Sequence, residues 1–175
     1  LGGGVVPGSA ILIGGSPGAG KSTLLLQTLC KLAERMPALY VTGEESLQQV
    51  AMRAQRLNLQ TDKLRMLSET SVESICQLAD YETPAIMVID SIQVMHIADI
   101  QSAPGSVSQV REAAAFLTRY AKQKNVAIIM VGHVTKEGHL AGPKVLEHCI
   151  DCSVLLDGSS DSRYRTLRGT KNRFG

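Results

Sequence analysis

Residues 10–23 read AILIGGSPGAGKST: an apolar run, Ala10 to Ile13, then ten residues holding four glycines, a proline and one lysine. Beyond them a helical pattern begins at Lys21, with Leu25, Leu29 and Leu32 at the 3.6-residue spacing of one buried face. Glycine is the residue that loses most conformational freedom on folding, so four of them between a strand and a helix imply a backbone shape that a Cβ would obstruct. Gly15, Gly20, Lys21 and Ser22 match GxxxxGK[ST], in the strand–loop–helix context its mechanism requires. In such a loop the amide N–H groups turn inward around an anion, and the helix start adds the positive end of its dipole. The stretch Gly15, Ser16, Pro17, Gly18, Ala19, Gly20, Lys21, Ser22 and Thr23 therefore reads as a triphosphate cradle. In it Lys21 neutralises the β and γ phosphates, and the Ser22 hydroxyl is a magnesium ligand.

A cradle binds without hydrolysing, so companions are needed. The apolar run AIMVID ends in Asp90, an acid at the carboxyl end of a buried strand, where ligands gather on parallel sheets; it is the candidate second magnesium ligand. The strand LYVT runs into GEES, which brings Glu44 and Glu45 to the same edge. One of the two is the expected general base that orients water, with Glu44 ahead, and the other can cap the following helix. VAIIMVG ends in His133 on that edge, suited to touch the γ-phosphate and report its loss, or else simply satisfied by neighbouring backbone.

Apolar runs alternate with helical patterns along the whole chain, the rhythm of an α/β domain with a mostly parallel sheet and helices on both faces. Strands are expected over 9–13, 38–42, 64–67, 85–90, 126–132, 152–156 and 164–169, and helices over 21–35, 46–57, 71–81 and 107–123. Ser46 reads as a helix cap and Pro37 as a helix stop. Two stretches, 96–106 and 135–143, read as long loops. At 175 residues, 44% hydrophobic and a net charge of +2, the chain is expected to form one domain with its own core; at 3% aromatic, that core must be aliphatic. No apolar run is long enough to span a bilayer and the first residues do not resemble a signal peptide, so a cytoplasmic location with no membrane partner is expected. Cys149 and Cys152 have a CxxC spacing, but they open an apolar run and read as small buried residues rather than metal ligands.

GGSPGAGKST, YVTGEES, MVIDSIQ, VGHVTK, LAGPKVLEH and the terminal KNRFG together resemble the ATPase core of the bacterial RadA (Sms) DNA repair family, relatives of the RecA recombinases. The resemblance spans residues 1–175 and implies a RecA-like P-loop fold. It implies a DNA-dependent ATPase that uses ATP and magnesium, yields ADP, and drives branch migration as a hexameric ring on single-stranded DNA and recombination intermediates. A nucleoid-associated location and the RecA recombinase as a partner follow from the same resemblance. Family members carry a four-cysteine zinc finger before this core and a Lon-protease-like domain after it; neither lies within these residues, which read as an excised domain.

In KNRFG, Lys171 and Arg173 stand two residues apart, on one face if the segment is extended, and no acid falls in the last ten residues. They read as two unpaired cations. In the RecA-like arrangement that face meets the nucleotide of a neighbouring subunit, as a finger supplied in trans. DNA contact is expected to be led by phosphates and sensitive to salt, through the two long loops with Lys136, His139 and Lys144. A different class stays open: an ATP-dependent oligomeric switch that controls assembly with a protein partner. A small-molecule kinase shares the phosphate loop, but it would leave the terminal cations without a task.

Overall fold

The computed structural model describes residues 3–134, 146–158 and 162–175. Seven strands form one sheet: β1 (Ala10–Gly15), β2 (Ala38–Thr42), β3 (Arg65–Ser68), β4 (Ile86–Asp90), β5 (Ala127–His133), β6 (Cys152–Asp157) and β7 (Thr166–Asn172). Their spatial order is β3-β2-β4-β5-β1-β6-β7, and every neighbouring pair is parallel except β6 with β7. Among the described residues, α1 (Lys21–Leu32), α2 (Leu47–Arg56), α3 (Val72–Glu82) and α4 (Val107–Lys124) connect β1 to β5 in turn. This is the expected α/β, RecA-like P-loop architecture.

Strand alternation divides the core into two layers. Leu12, Leu39, Val41, Met87, Ile89, Ile128 and Met130 pack with Ile75 of α3 and Val110, Ala114 and Leu117 of α4. Their neighbours Ile11, Ile13, Tyr40, Val88 and Ile129 face the other way, onto Leu25, Leu26 and Leu29 of α1 and Val50 and Ala54 of α2. Because both faces are covered, the central strands are apolar throughout rather than alternating.

The helix starts follow their caps. Ser46 forms a capping box with Gln49, while the Ser71 and Ser106 hydroxyls accept from the N–H groups of Ser74 and Gln109. α1 ends at Leu32, earlier than the expected 35, and the Met36 N–H turns back to the Leu32 carbonyl before Pro37. β7 runs to Asn172 rather than stopping at residue 169, because its antiparallel register against β6 carries on to the Cys152–Asn172 pair. The 96–106 loop is tied to α4 by the buried side chain of Gln109. Its amide donates to the carbonyls of Ile97, Ile100 and Ser102 and accepts from the Ile97 N–H. No helix among the described residues is long and apolar enough to cross a membrane.

Candidate active site at the carboxyl edge of the sheet

β1 delivers the cradle. Gly15 lies beside His133 in the β1–β5 register, and the Val134 N–H donates to the Gly15 carbonyl over 2.9 Å. A Cβ at Gly15 would sit 2.3 Å from the carbonyl oxygen of Leu156, so only glycine lets β1 leave the sheet this close to β6. Gly20, which caps α1, has φ 100°, a conformation that L side chains rarely adopt, and a Cβ there would meet nothing of the protein. That open space belongs to a cleft of about 240 Å³ lined by Gly18, Gly20, Lys21, Ser22, Thr23, Arg53 and His133. A larger cleft, about 370 Å³ between α1 and β6–β7, is walled by apolar residues such as Ile13, Leu24, Val154 and Leu167. Its lining takes in none of the glycine loop, whereas the smaller cleft is lined by that loop with Lys21, Arg53, His133 and the Ser22 and Thr23 hydroxyls, so the smaller polar cleft is the candidate site.

Lys21 is only 3% exposed, and its ammonium donates to the carbonyls of Gly15 (2.7 Å) and Ser16 (2.8 Å) of its own loop. Burial lowers its pKa, opposed by the negative charges of Asp90 and Glu44. A desolvated ammonium held by two neutral carbonyls, at the mouth of a cleft rimmed by glycine, fits a polyphosphate group well. The Ser22 hydroxyl and the Asp90 carboxylate are hard oxygen donors of the kind magnesium takes.

The acids stand opposite. The Gly43 N–H donates to the Asp90 carbonyl (2.8 Å), which seats the turn after β2 on the end of β4. Asp90 is 4% exposed, and the Tyr40 phenol donates to its Oδ2 over 2.5 Å. Glu44 Oε1 accepts from the Ser91 hydroxyl and lies 2.9 Å from His133 Nε2, while Gln93 donates to the His133 carbonyl (3.2 Å). Glu45 takes another course: its carboxylate pairs with Arg53 of α2. Lys21, Ser22, Asp90, Glu44 and His133 thus share one sheet edge, with Glu44 beside the histidine and Glu45 engaged by an arginine.

Tyr40, Arg53, Ser91, Gln93 and Arg165, whose Nε donates to the Ala19 carbonyl (3.2 Å), were not among the residues expected here. Tyr40 carried a usable signal, as a polar-tipped ring inside an aliphatic strand in a chain with four tyrosines. Arg53 carried another, a cation three residues beyond the buried Val50 on the same helix face. Arg165 carried none.

The terminal pair lies elsewhere. β7 is antiparallel to β6, so its last residues pair with the start of β6, at the end of the sheet away from the cradle. Within one chain, Lys171 and Arg173 cannot serve the phosphate cleft beside Lys21. The expectation that both are unpaired is corrected for Arg173, whose guanidinium lies 3.0 Å from Asp151 Oδ1; Lys171 donates to a neutral group, the Glu147 carbonyl. Asp151 lies outside the last ten residues, and the fold brings it to Arg173 at the start of β6. Lys136, His139 and Lys144 lie outside the described residues.

Asp151 is fully buried and also accepts from the Ala10 N–H (2.9 Å) and from Lys122 (3.0 Å). Burial alone would raise its pKa, but the Ala10 N–H, Lys122 and Arg173 together hold it below the usual carboxylate range. Its stabilising contribution is therefore complete above the unfolded pKa of about 3.9 and is lost as pH falls through the lower folded value. Asp151→Asn keeps the shape and loses the charge; Lys122 and Arg173 are half exposed and regain water. The expected cost is about 1.5–3 kcal/mol at pH 7, shrinking toward zero in acid. Urea melts at pH 7 and pH 3 measure it, and an equal difference at both would refute the linkage.

A family described as AAA domain matches residues 1–139. Along its whole length the chain is similar to curated proteins named DNA repair protein RadA. It is 79% identical over 175 residues to that of Escherichia coli (strain K12), covering 100% of this chain and 38% of the relative. Identity is 65% over 175 residues with the Pseudomonas aeruginosa relative, covering 100% of this chain and 39% of the relative. It is 51% over 176 residues with that of Bacillus subtilis (strain 168), covering 100% and 38%. The chain spans about 38% of the length of these relatives.

Proposed function

This chain belongs to the AAA domain family, and on that premise we propose that it is the nucleotide-hydrolysing core of a DNA-repair ATPase. The observation that carries the proposal is the meeting of Lys21, Asp90 and Glu44 at one sheet edge over an open glycine cradle. Lys21 exchanges its two loop carbonyls for the terminal phosphates of ATP, and the loop N–H groups take the remaining oxygens. Ser22 and Asp90 hold magnesium, which when bound supplies charge neutralisation at the β and γ phosphates. Glu44 orients the attacking water and accepts its proton. His133, hydrogen-bonded to Glu44, passes the loss of the γ-phosphate to β5 and, through its own carbonyl, to Gln93.

Arg173 and Lys171 act in trans, on the nucleotide of the next subunit of a homo-oligomer, proposed as a hexameric ring. Their distance from the cradle of the same chain supports this. The likeness to proteins named DNA repair protein RadA supports DNA as a partner; within that reading we propose single-stranded DNA and recombination intermediates as the DNA bound, branch migration as the work done, and the RecA recombinase as a second partner.

Turnover by the wild type, Glu44→Gln and Glu45→Gln, each with and without single-stranded DNA at low salt, tests the proposal. DNA raises the wild-type rate several-fold. Glu44→Gln loses about 10²–10⁴ in rate at unchanged ATP affinity, and Glu45→Gln stays within about tenfold. Wild-type turnover that is indifferent to DNA would replace the motor with a switch acting on a protein partner, and equal losses for the two variants would remove Glu44 as the base.

A further inference from the structure

Tyr40 is 0% exposed, in the middle of β2, on the strand face that packs against α1 and α2. In the β2–β4 register it stands opposite Val88, and Thr42 stands opposite Asp90. Val88 and Asp90 are two residues apart and share a face, so Tyr40 and Asp90 are diagonal neighbours, a separation that an aromatic side chain can span. The phenol bridges it, donating to Asp90 Oδ2 over 2.5 Å. Burial, then the charge of Asp90 and this hydrogen bond, push the Tyr40 pKa far up, which keeps the O–H protonated and a donor. The Arg53 guanidinium, which lines the phosphate cleft and pairs with Glu45, acts on the same phenol in the opposite sense.

We propose that Tyr40 is a positioning residue for magnesium: its hydrogen bond fixes the rotation of the Asp90 carboxylate, engaging Oδ2 and leaving Oδ1 for the ion or its water. The proposal rests on the reading of Asp90 as the magnesium acid. Outer-shell donors of this kind are worth about 10–100-fold in metal affinity. Tyr40 does this without touching nucleotide.

Binding of a fluorescent, non-hydrolysable ATP analogue is titrated with magnesium chloride for the wild type and Tyr40→Phe, with a parallel titration in EDTA. The expected result is a magnesium midpoint about tenfold higher in Tyr40→Phe, with affinity in EDTA unchanged. In an Asp90→Asn background the same substitution is expected to shift the midpoint less than twofold, since the carboxylate it orients is gone. Tyr40→Met, which fills similar space without a donor, repeats the measurement should the phenylalanine variant fail to fold. An unchanged midpoint, or a parallel loss of affinity in EDTA, overturns the assignment of Tyr40 alone. Wild-type protein that binds no analogue at any magnesium concentration overturns the nucleotide site itself.

Discussion

Lys21→Ala is expected to lower ATP turnover by at least about 10³-fold and to weaken ATP binding, while leaving the protein folded. On the proposed mechanism the first effect follows from removing an ammonium that meets the transferring phosphoryl group, a contact of the kind worth about 10²–10³ in rate by itself, and the weaker binding follows from losing its charge at the terminal phosphates. The fold is expected to survive because Lys21 is nearly buried and hydrogen-bonded to the Gly15 and Ser16 carbonyls, so its loss removes a desolvated charge rather than one half of a buried ion pair. Stopped-time phosphate release, equilibrium binding and a thermal melt report the three quantities. Turnover within tenfold of wild type would contradict the cradle.

Arg173→Ala is expected to cost about 10³–10⁵ in turnover, the range for arginine fingers in phosphoryl transfer, with nucleotide affinity within a few-fold. Each chain then retains an intact cradle but lacks the cation it owes its neighbour. Mixing Arg173→Ala with Lys21→Ala restores some interfaces with both parts, so part of the rate returns at intermediate ratios. No return at any ratio would leave Arg173 with its observed structural task, the pair with Asp151. The loss of that pair is modest in either case, since Arg173 is half exposed and Asp151 keeps Lys122 and the Ala10 N–H.

The cradle, the acid after β4 and the acids after β2 were legible in the sequence because each is a short-range pattern: a turn chemistry, or an apolar run with a charge at its end. The strands and helices were legible for the same reason, and α4, with its long amphipathic pattern, was placed to within a residue. Strand order was not legible. Nothing local says that β1 lies between β5 and β6, so the neighbours of Gly15, namely His133 and Leu156, had to come from the fold. The same limit hid the Tyr40–Asp90 hydrogen bond, made between β2 and β4, and the Arg173–Asp151 pair, made between residues that lie just beyond the paired ends of β7 and β6. Arg53 differs in kind: its place on the buried face of α2 is a weak signal, since a cation on a helix is ordinarily solvated, and its contact with Glu45 is what ties it to the site.

A crystal structure with magnesium and a non-hydrolysable ATP analogue tests the phosphate cradle most directly. The terminal phosphates are expected against Lys21 Nζ, released from the Gly15 and Ser16 carbonyls, with Ser22 and Asp90 at the metal and Glu44 facing the γ-phosphate. Nucleotide bound instead in the apolar cleft beside Leu167, with Lys21 still on its two carbonyls, would contradict it.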